Sequence, residues 1–325
     1  MLGLTIASLP PWALEILALP GTETAPAFER GLLLGSEGQV GGTVDRGIAR
    51  FPIPEVDSSI DFYRGIGGAR FHERSAVPYA TSALDTEIYH GYLAELRPEN
   101  VEAVIVDVGG GDGRNTLPWL RWGFRRVVMI DAAYAALARF RDRIAAEQRE
   151  WLDRLLLIEA DIRRIPLRSG CAVRVQAIEA LAYLNEDYAE GLRQCARLLA
   201  DGGRLVVADR DYEAGLLTRL FYSGGVRGML EQADKHTIWD GNAESVVHSR
   251  CFTADEFAAM MQNNGLLILS HRGVSALSLV LGHEWATKRL VTGDVAHLSQ
   301  VHALLRKLGA TGQMRRSHVI VAQRR

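Results

Sequence analysis

The sequence predicts an α/β protein built on a doubly wound, mostly parallel sheet, and three observations lead there. Short, β-rich apolar runs recur through the middle of the chain: VEAVIVDV, RRVVMID, RLLLIEAD, AVRVQAIEA and GRLVVADR. Helix-length segments such as AYAALARFRDRIAAEQREW and EDYAEGLRQCARLLA separate them. A glycine-rich turn follows the first run directly. Near-continuous apolar strands joined by helix-length connections are what a sheet covered on both faces requires.

Composition supports a packed core and excludes several classes. The 325 residues are 48% hydrophobic, which rules out a largely disordered chain. With 37 Lys and Arg against 39 Asp and Glu, a net charge of −2 and no basic run, the chain lacks the electrostatic footprint of a nucleic-acid binder. Cys171, Cys195 and Cys251 are odd in number and form no CxxC pair, so neither a disulfide framework nor a cysteine zinc site is expected. The opening MLGLTIASLPPWALEILALP has no basic leader, contains Glu15 and is broken by Pro10, Pro11 and Pro20. It reads as neither signal peptide nor membrane span, and no other stretch reaches about eighteen uninterrupted apolar residues. A cytoplasmic protein without a membrane span is the expectation.

The elements follow in order. Residues 1–80, rich in Gly and Pro with short apolar runs such as GLLLG and VGGTV, read as an irregular arm or lid. From Ser82 the segment LDTEIYHGYLAEL has helical spacing, with Ser82 and Asp85 as capping signals, so a regular α/β domain is expected over 81–325. The rhythm lapses at about 212–250, which reads as a cap insertion. It resumes at FTADEFAAMMQNNGLLIL, where Thr253 and Glu256 have capping-box spacing and Gly265 stands where a helix stops. A last helix is expected from about Val295 to Leu308, ending at Gly309, before a closing strand SHVIVAQ.

The segment VIVDVGGGDGRN carries the most chemistry, because a buried strand runs into Gly109, Gly110, Gly111 and Gly113 before a helix that begins near Asn115. Glycines there admit positive φ and let a ligand lie against bare backbone. The pattern is DxGxGxG on Asp107, Gly109, Gly111 and Gly113. It is not a P-loop, and Arg114 stands where the dinucleotide fingerprint needs glycine, which disfavours nicotinamide-dependent redox chemistry. Two acids follow at strand ends. Asp131 closes VVMID, where a carboxylate can accept both hydroxyls of a ribose. Asp161 in EADIRRIPL is placed to accept from an adenine amino group while the N–H of Ile162 reaches a ring nitrogen. All three motifs fall at the C-terminal ends of strands, the edge where open α/β sheets bind ligands.

These phrases, with AIEALAYL and LLADGGRLVVADR, resemble the class I S-adenosylmethionine (SAM)-dependent methyltransferases, and in particular a small-molecule branch similar to the UbiE-type enzymes. The resemblance covers roughly residues 80–325. It implies a Rossmann-like methyltransferase fold of seven strands with the last antiparallel, and SAM lying across the first four strand ends. By position it makes Asp107, Gly109, Gly111, Gly113 and Asn115 neighbours of the methionine moiety, Asp131 and Ala132 ribose neighbours, and Asp161 and Ile162 adenine ligands. Ala177, Ile178 and Glu179 would flank the amino group and sulfonium through backbone carbonyls, and Tyr183 would meet cofactor or substrate. Glu179 and Tyr183 read equally as ordinary helix-start residues.

The arm, ending in Gly47, Ile48 and Phe51, resembles the zinc-ribbon module that precedes some of these enzymes, but no cysteine precedes Cys171, so its metal site would be lost. A structural flap or homodimer contact is the other reading. In relatives the next stretch folds over the cofactor, which makes Arg74 and Tyr79 candidate lid residues, against ordinary packing.

A methyl sulfonium carries its own leaving group, so alignment and exclusion of water can do most of the work, and a general base is needed only for a weakly acidic acceptor. His248 and His236 in the insertion are the candidate bases, against a purely structural role for each. Arg316 and His318 open the last strand, where they face either the pocket or the strand edge. The histidines are too dispersed for a metal site. No Asn/Asp-Pro-Pro-aromatic motif follows AIEAL, which disfavours amino-methylation of nucleic acids. The expected activity is methyl transfer to oxygen, nitrogen or carbon of a small, partly apolar acceptor: a specialised metabolite, a quinone-like compound or a lipid. The alternative is a SAM-fold protein without methyl transfer, serving as a scaffold or in a non-methylating step such as cyclisation.

Overall fold

The computed structural model describes residues 8–53, 58–65, 80–222, 224–233, 235–241, 246–289, 296–311 and 314–324. Arg74 and Tyr79 lie outside the described residues. The chain first forms four short strands, β1 (Ala27–Glu29), β2 (Leu32–Leu34), β3 (Val40–Asp45) and β4 (Ile48–Arg50). The apolar runs then give β5 (Val104–Val108), β6 (Arg126–Asp131), β7 (Leu155–Glu159), β8 (Ala172–Ile178) and β9 (Leu199–Arg210). A hairpin of β10 (Thr237–Gly241) and β11 (Val246–Arg250) precedes β12 (Leu266–Ser275) and β13 (Arg315–Arg324).

Apart from the hairpin, these strands form one sheet in the order β1-β2-β3-β4-β7-β6-β5-β8-β9-β13-β12. The expected seven-stranded core is the run from β7 to β12, parallel from β7 through β9, with β13 antiparallel to both of its neighbours. Alternation along β6 shows why both faces are covered. Val128 and Ile130 pack into the core on one side, and Val127 and Met129 into the core on the other, all fully buried. One core is built on Leu17, Tyr188, Phe252 and Phe257, and the opposite one on Tyr89, Tyr92, Trp119, Phe124 and Phe140.

The arm departs from the irregular lobe expected of its Gly and Pro content. Its last strand, β4, pairs in parallel with β7, matching Ile48 to Leu157, Ala49 to Ile158 and Arg50 to Glu159, and the Phe51 N–H donates to the Glu159 carbonyl at 2.9 Å. Trp12, Leu17 and Leu33 join the same core cluster as Val106 and Ile158. The arm therefore continues the central sheet.

Two other expectations need correction. The helix Thr81–Glu95 forms as expected, but its N-cap Ala80 has no side-chain hydrogen bond and Asp85 is fully buried inside it rather than capping it. The last described helix, Leu298–Thr311, runs through Gly309 instead of stopping there. A Cβ on Gly309 would lie 2.0 Å from the Gly273 carbonyl oxygen, so this glycine serves a close helix–strand approach. The capping box of Thr253 and Glu256 is present as predicted, starting the helix Ala254–Asn263. The cap insertion is regular, containing helices Tyr212–Tyr222 and Gly225–Gln232 and the β10–β11 hairpin.

Candidate active site

The strand order places β5 between β6 and β8, so successive connections leave the sheet on opposite sides and open a crevice at the C-terminal strand ends. A cleft lies there, and its lining includes Gly109, Gly110, Gly111, Asp112, Arg114 and Asn115 from the loop after β5. Asp131, Ala132 and Ala133 follow β6, Asp161 and Ile162 follow β7, and Ile178, Glu179, Ala180, Tyr183 and Leu184 close the β8 side. Ser59, Ile60 and Tyr63 cover it from the helix Ser58–Arg64.

The glycine loop is held by its own backbone. The N–H groups of Gly109 and Gly110 donate to the Ile130 carbonyl at 2.8 and 3.1 Å, and Gly109 and Gly111 have φ of 72° and 58°. A Cβ at Gly109 would come within 2.4 Å of the Ala180 Cβ, so bare backbone is required where the loop passes the β8 side. The Asp131 carboxylate braces this arrangement. One oxygen accepts from the Gly111 N–H and the other from the Ala133 N–H, each at 2.8 Å. Asp161 accepts from the backbone N–H of Arg163 at 2.8 Å and pairs with its guanidinium at 2.7 Å, so an adenine amino group there would share the carboxylate with Arg163.

Two predicted ligands do not line the cleft. Asp107 lies beneath the loop, 1% exposed, where its carboxylate accepts from the Thr116 hydroxyl at 2.6 Å and burial pushes its pKa up to about 6. It ties β5 to the start of the following helix. Gly113, at φ 78°, passes against the Phe140 ring, which a Cβ would meet at 2.4 Å. Its glycine serves packing.

Asn115, by contrast, lines the cleft, is 5% exposed, and its Oδ1 is a buried acceptor with no partner among the described residues. Buried polar atoms are nearly always satisfied, so a ligand donor such as an amino group fits this position. The bare loop backbone, the two strand-end carboxylates and this acceptor together fit a SAM-like group. When bound, SAM supplies an electrophilic methyl on a sulfonium. The protein's part is to align it.

Glu179 is the residue the sequence read least well. It adopts φ 53°, a left-handed conformation uncommon for a side chain with a Cβ, and its carboxylate turns into a buried ion cluster. Arg316 on β13 reaches it at 2.5 Å and Arg114 at 3.4 Å, while the Arg316 Nε lies 2.8 Å from the Asp85 carboxylate. Burial alone would raise the Glu179 carboxyl, but Arg316, Arg210 and Arg114 overcome it and hold it below the ordinary carboxylate range. Asp85, wholly enclosed, is pushed by burial up to about 6 against the pull of Arg316. Arg114 and Asp85 carried sequence signals for other things, a failed fingerprint and a helix cap, and only the fold brings them together.

Neither candidate base reaches the site. His236 stacks on Tyr212 with ring centroids 4.4 Å apart and its Nδ1 lies 3.4 Å from Glu256. His248 is exposed on the hairpin, opposite Trp239. Neither is among the described residues that line the cleft, although β11 packs against the covering helix Ser58–Arg64 and the Asn185 Nδ2 donates to the His248 carbonyl at 3.4 Å. His318 also turns away, buried between His271 at 3.1 Å and the Phe252 carbonyl at 3.0 Å, with Phe257 stacked on it. Among the described lining residues there is no histidine, lysine or cysteine.

Asp209, at the end of β9, gives a pH prediction. Burial raises its carboxyl to about 8, outweighing the hydrogen bond it accepts from Tyr188 at 2.9 Å. The folded state then holds a proton that the unfolded chain releases near pH 4, so the stability from this group is complete below about pH 4 and is lost as pH rises to 8. Asp209→Asn should flatten that decline, raising Tm at pH 8 by ~3 °C or more relative to wild type with little change at pH 4. Thermal melts at the two pH values check it.

Comparison with known proteins bears on the fold. Residues 106–207 match the family model described as a methyltransferase domain. A solved structure described as an S-adenosylmethionine-dependent methyltransferase from Listeria monocytogenes aligns over 75% of this chain and 99% of its own, at 12% identity and a TM-score of 0.51. A chain from the complex between the Haloferax volcanii Trm112 methyltransferase activator and a methyltransferase aligns over 83% of this chain and 99% of its own, at 16% identity and a TM-score of 0.52. Both likenesses are of fold. Comparison with curated proteins finds no match.

Proposed function

We propose, for a chain that is a class I SAM-dependent methyltransferase, that it methylates a small, partly apolar molecule of the specialised-metabolite, quinone-like or lipid kind. SAM is the expected cofactor. The carrying observation is the cleft at the β5–β8 strand ends, where bare glycine backbone, Asp131, Asp161 and the unpartnered Asn115 Oδ1 converge. Asp131 and Ala132 take the ribose side in this reading, Asp161 and Ile162 the adenine side, and Asn115 the amino group. Ile60, Tyr63, Ile162, Ile178, Tyr183 and Leu184 leave an apolar and aromatic wall for the acceptor. With no histidine, lysine or cysteine among the described lining residues, an acceptor that brings its own nucleophile, such as an amine, an enolate carbon or an acidic phenol, suits the site best. None of the described helices is long and apolar enough to cross a membrane.

Isothermal titration with SAM and with S-adenosylhomocysteine should give micromolar affinity. Asp131→Ala should weaken both by about 10- to 100-fold, the loss of one or two charge-assisted hydrogen bonds. Absence of binding by the wild type would defeat the cofactor reading. Transfer of label from isotopically labelled SAM to a panel of small acceptors separates methylation from a role without transfer.

A further inference from the structure

The helix Ser58–Arg64 covers the cleft with Ser59, Ile60 and Tyr63, and the Tyr63 ring meets Tyr183 edge to face, centroids 5.1 Å apart. Seven residues are too few to hold a helix in place by propensity, so its position depends on tertiary contacts. Its last residue supplies an unusual one. The Nε of Arg64 donates to the carbonyl of Ala132, next to Asp131, at 2.9 Å. One Nη donates to Glu159 Oε1 at 3.2 Å, two residues before Asp161. A single planar guanidinium thus joins the covering helix to the ends of both β6 and β7.

Glu159 is built to receive it. The carboxylate is buried, and its other oxygen accepts from the Arg50 Nε on β4 at 2.5 Å. Arg50 also lies 4.2 Å over the Tyr134 ring, whose hydroxyl donates to Asp45 on β3 at 2.6 Å. The arm's strands therefore fix the catch, and the helix that follows those strands carries the latch. Because Arg50 neutralises Glu159 independently, removing Arg64 leaves no buried charge alone, and the pair of Arg64 with Glu159, one-third exposed on the arginine side, contributes little to stability itself.

We propose that Arg64 is a positioning residue that latches the helix Ser58–Arg64 over the cleft on the side of Asp131 and Asp161, so that cofactor affinity depends on a side chain that does not line the site. The proposal rests on the reading of the cleft as the SAM site. Lysine cannot replace this arginine fully, since a single ammonium cannot reproduce the planar fork that spans a carbonyl and a carboxylate.

The test titrates S-adenosylhomocysteine into wild type, Arg64→Ala, Arg64→Lys, the pair Ile60→Ala/Tyr63→Ala, and that pair combined with Arg64→Ala, with a melting curve for each. Arg64→Ala should raise Kd about tenfold while Tm moves by no more than ~2 °C, and Arg64→Lys should fall between. In the Ile60→Ala/Tyr63→Ala background, where the latched face has been cut away, Arg64→Ala should add less than twofold. Wild-type affinity in Arg64→Ala, or a full tenfold loss in the cut-back background, overturns the latch while leaving the cofactor reading intact. Failure of the wild type itself to bind removes the cofactor reading and the latch with it.

Discussion

Arg316→Ala should be among the most damaging single changes in this protein. The guanidinium sits 2.5 Å from Glu179 and 2.8 Å from Asp85, and all three side chains are less than one-tenth exposed. Desolvating such charges is repaid only while the geometry is complete, and breaking a buried cluster from one side costs about 3–5 kcal/mol because charge is left without a partner. A drop in Tm on the order of 10 °C is expected for a chain of this size. Glu179 occupies a left-handed conformation at the cleft edge, so its release should also weaken SAM binding beyond the loss of stability. Arg316→Met combined with Glu179→Gln and Asp85→Asn should recover part of the Tm, since the uncompensated charges go too. A triple variant no better than Arg316→Ala would show that the cluster's worth lies in packing rather than in charge balance. Calorimetry distinguishes the two.

Gly109→Ala is the second. The new methyl would meet the Ala180 Cβ at 2.4 Å and would sit at φ 72°. The left-handed backbone costs roughly 1–2 kcal/mol for a residue with a Cβ and the overlap about 1–3 more. The loop must move, and since it forms one wall of the cleft, cofactor affinity should fall at least about tenfold. Ala180→Gly added to Gly109→Ala should restore the overlap part and leave the backbone part, a partial recovery readable in both Tm and Kd. No recovery would locate the whole penalty in the backbone.

The core sheet was legible because each of its parallel strands is a run of apolar residues buried on both faces, and that signal is local. Val104 to Val108 and Leu155 to Glu159 are buried at every position, as a central parallel strand demands. The glycine loop, Asp131 and Asp161 were legible for the same reason, each being attached to such a strand. What was not legible depends on pairing across the chain. Strands of three residues, such as Ile48–Arg50, carry no periodicity, and their place beside β7 is set by backbone hydrogen bonds to residues more than a hundred positions away. Asp85, Arg114, Glu179 and Arg316 come from four separate elements, so no spacing announces their meeting. His236 and His248 drew attention as titratable residues in an irregular stretch, yet residue type says nothing about which way a side chain turns once its strand is placed. Asp107 and Gly113 fit their motif but support the loop from below.

The pairing of β4 with β7 has a consequence for synthesis. About 100 residues separate Arg50 from Leu155, so at roughly 5–20 residues per second a ribosome needs on the order of 5–20 s to deliver the strand that β4 must join. The hairpins of the first fifty residues are short-range and can close early, but their attachment waits for the middle of the polypeptide. The nascent N-terminal piece therefore spends several seconds with an open strand edge, a template for neighbouring polypeptides on the same message and a ready client for chaperones.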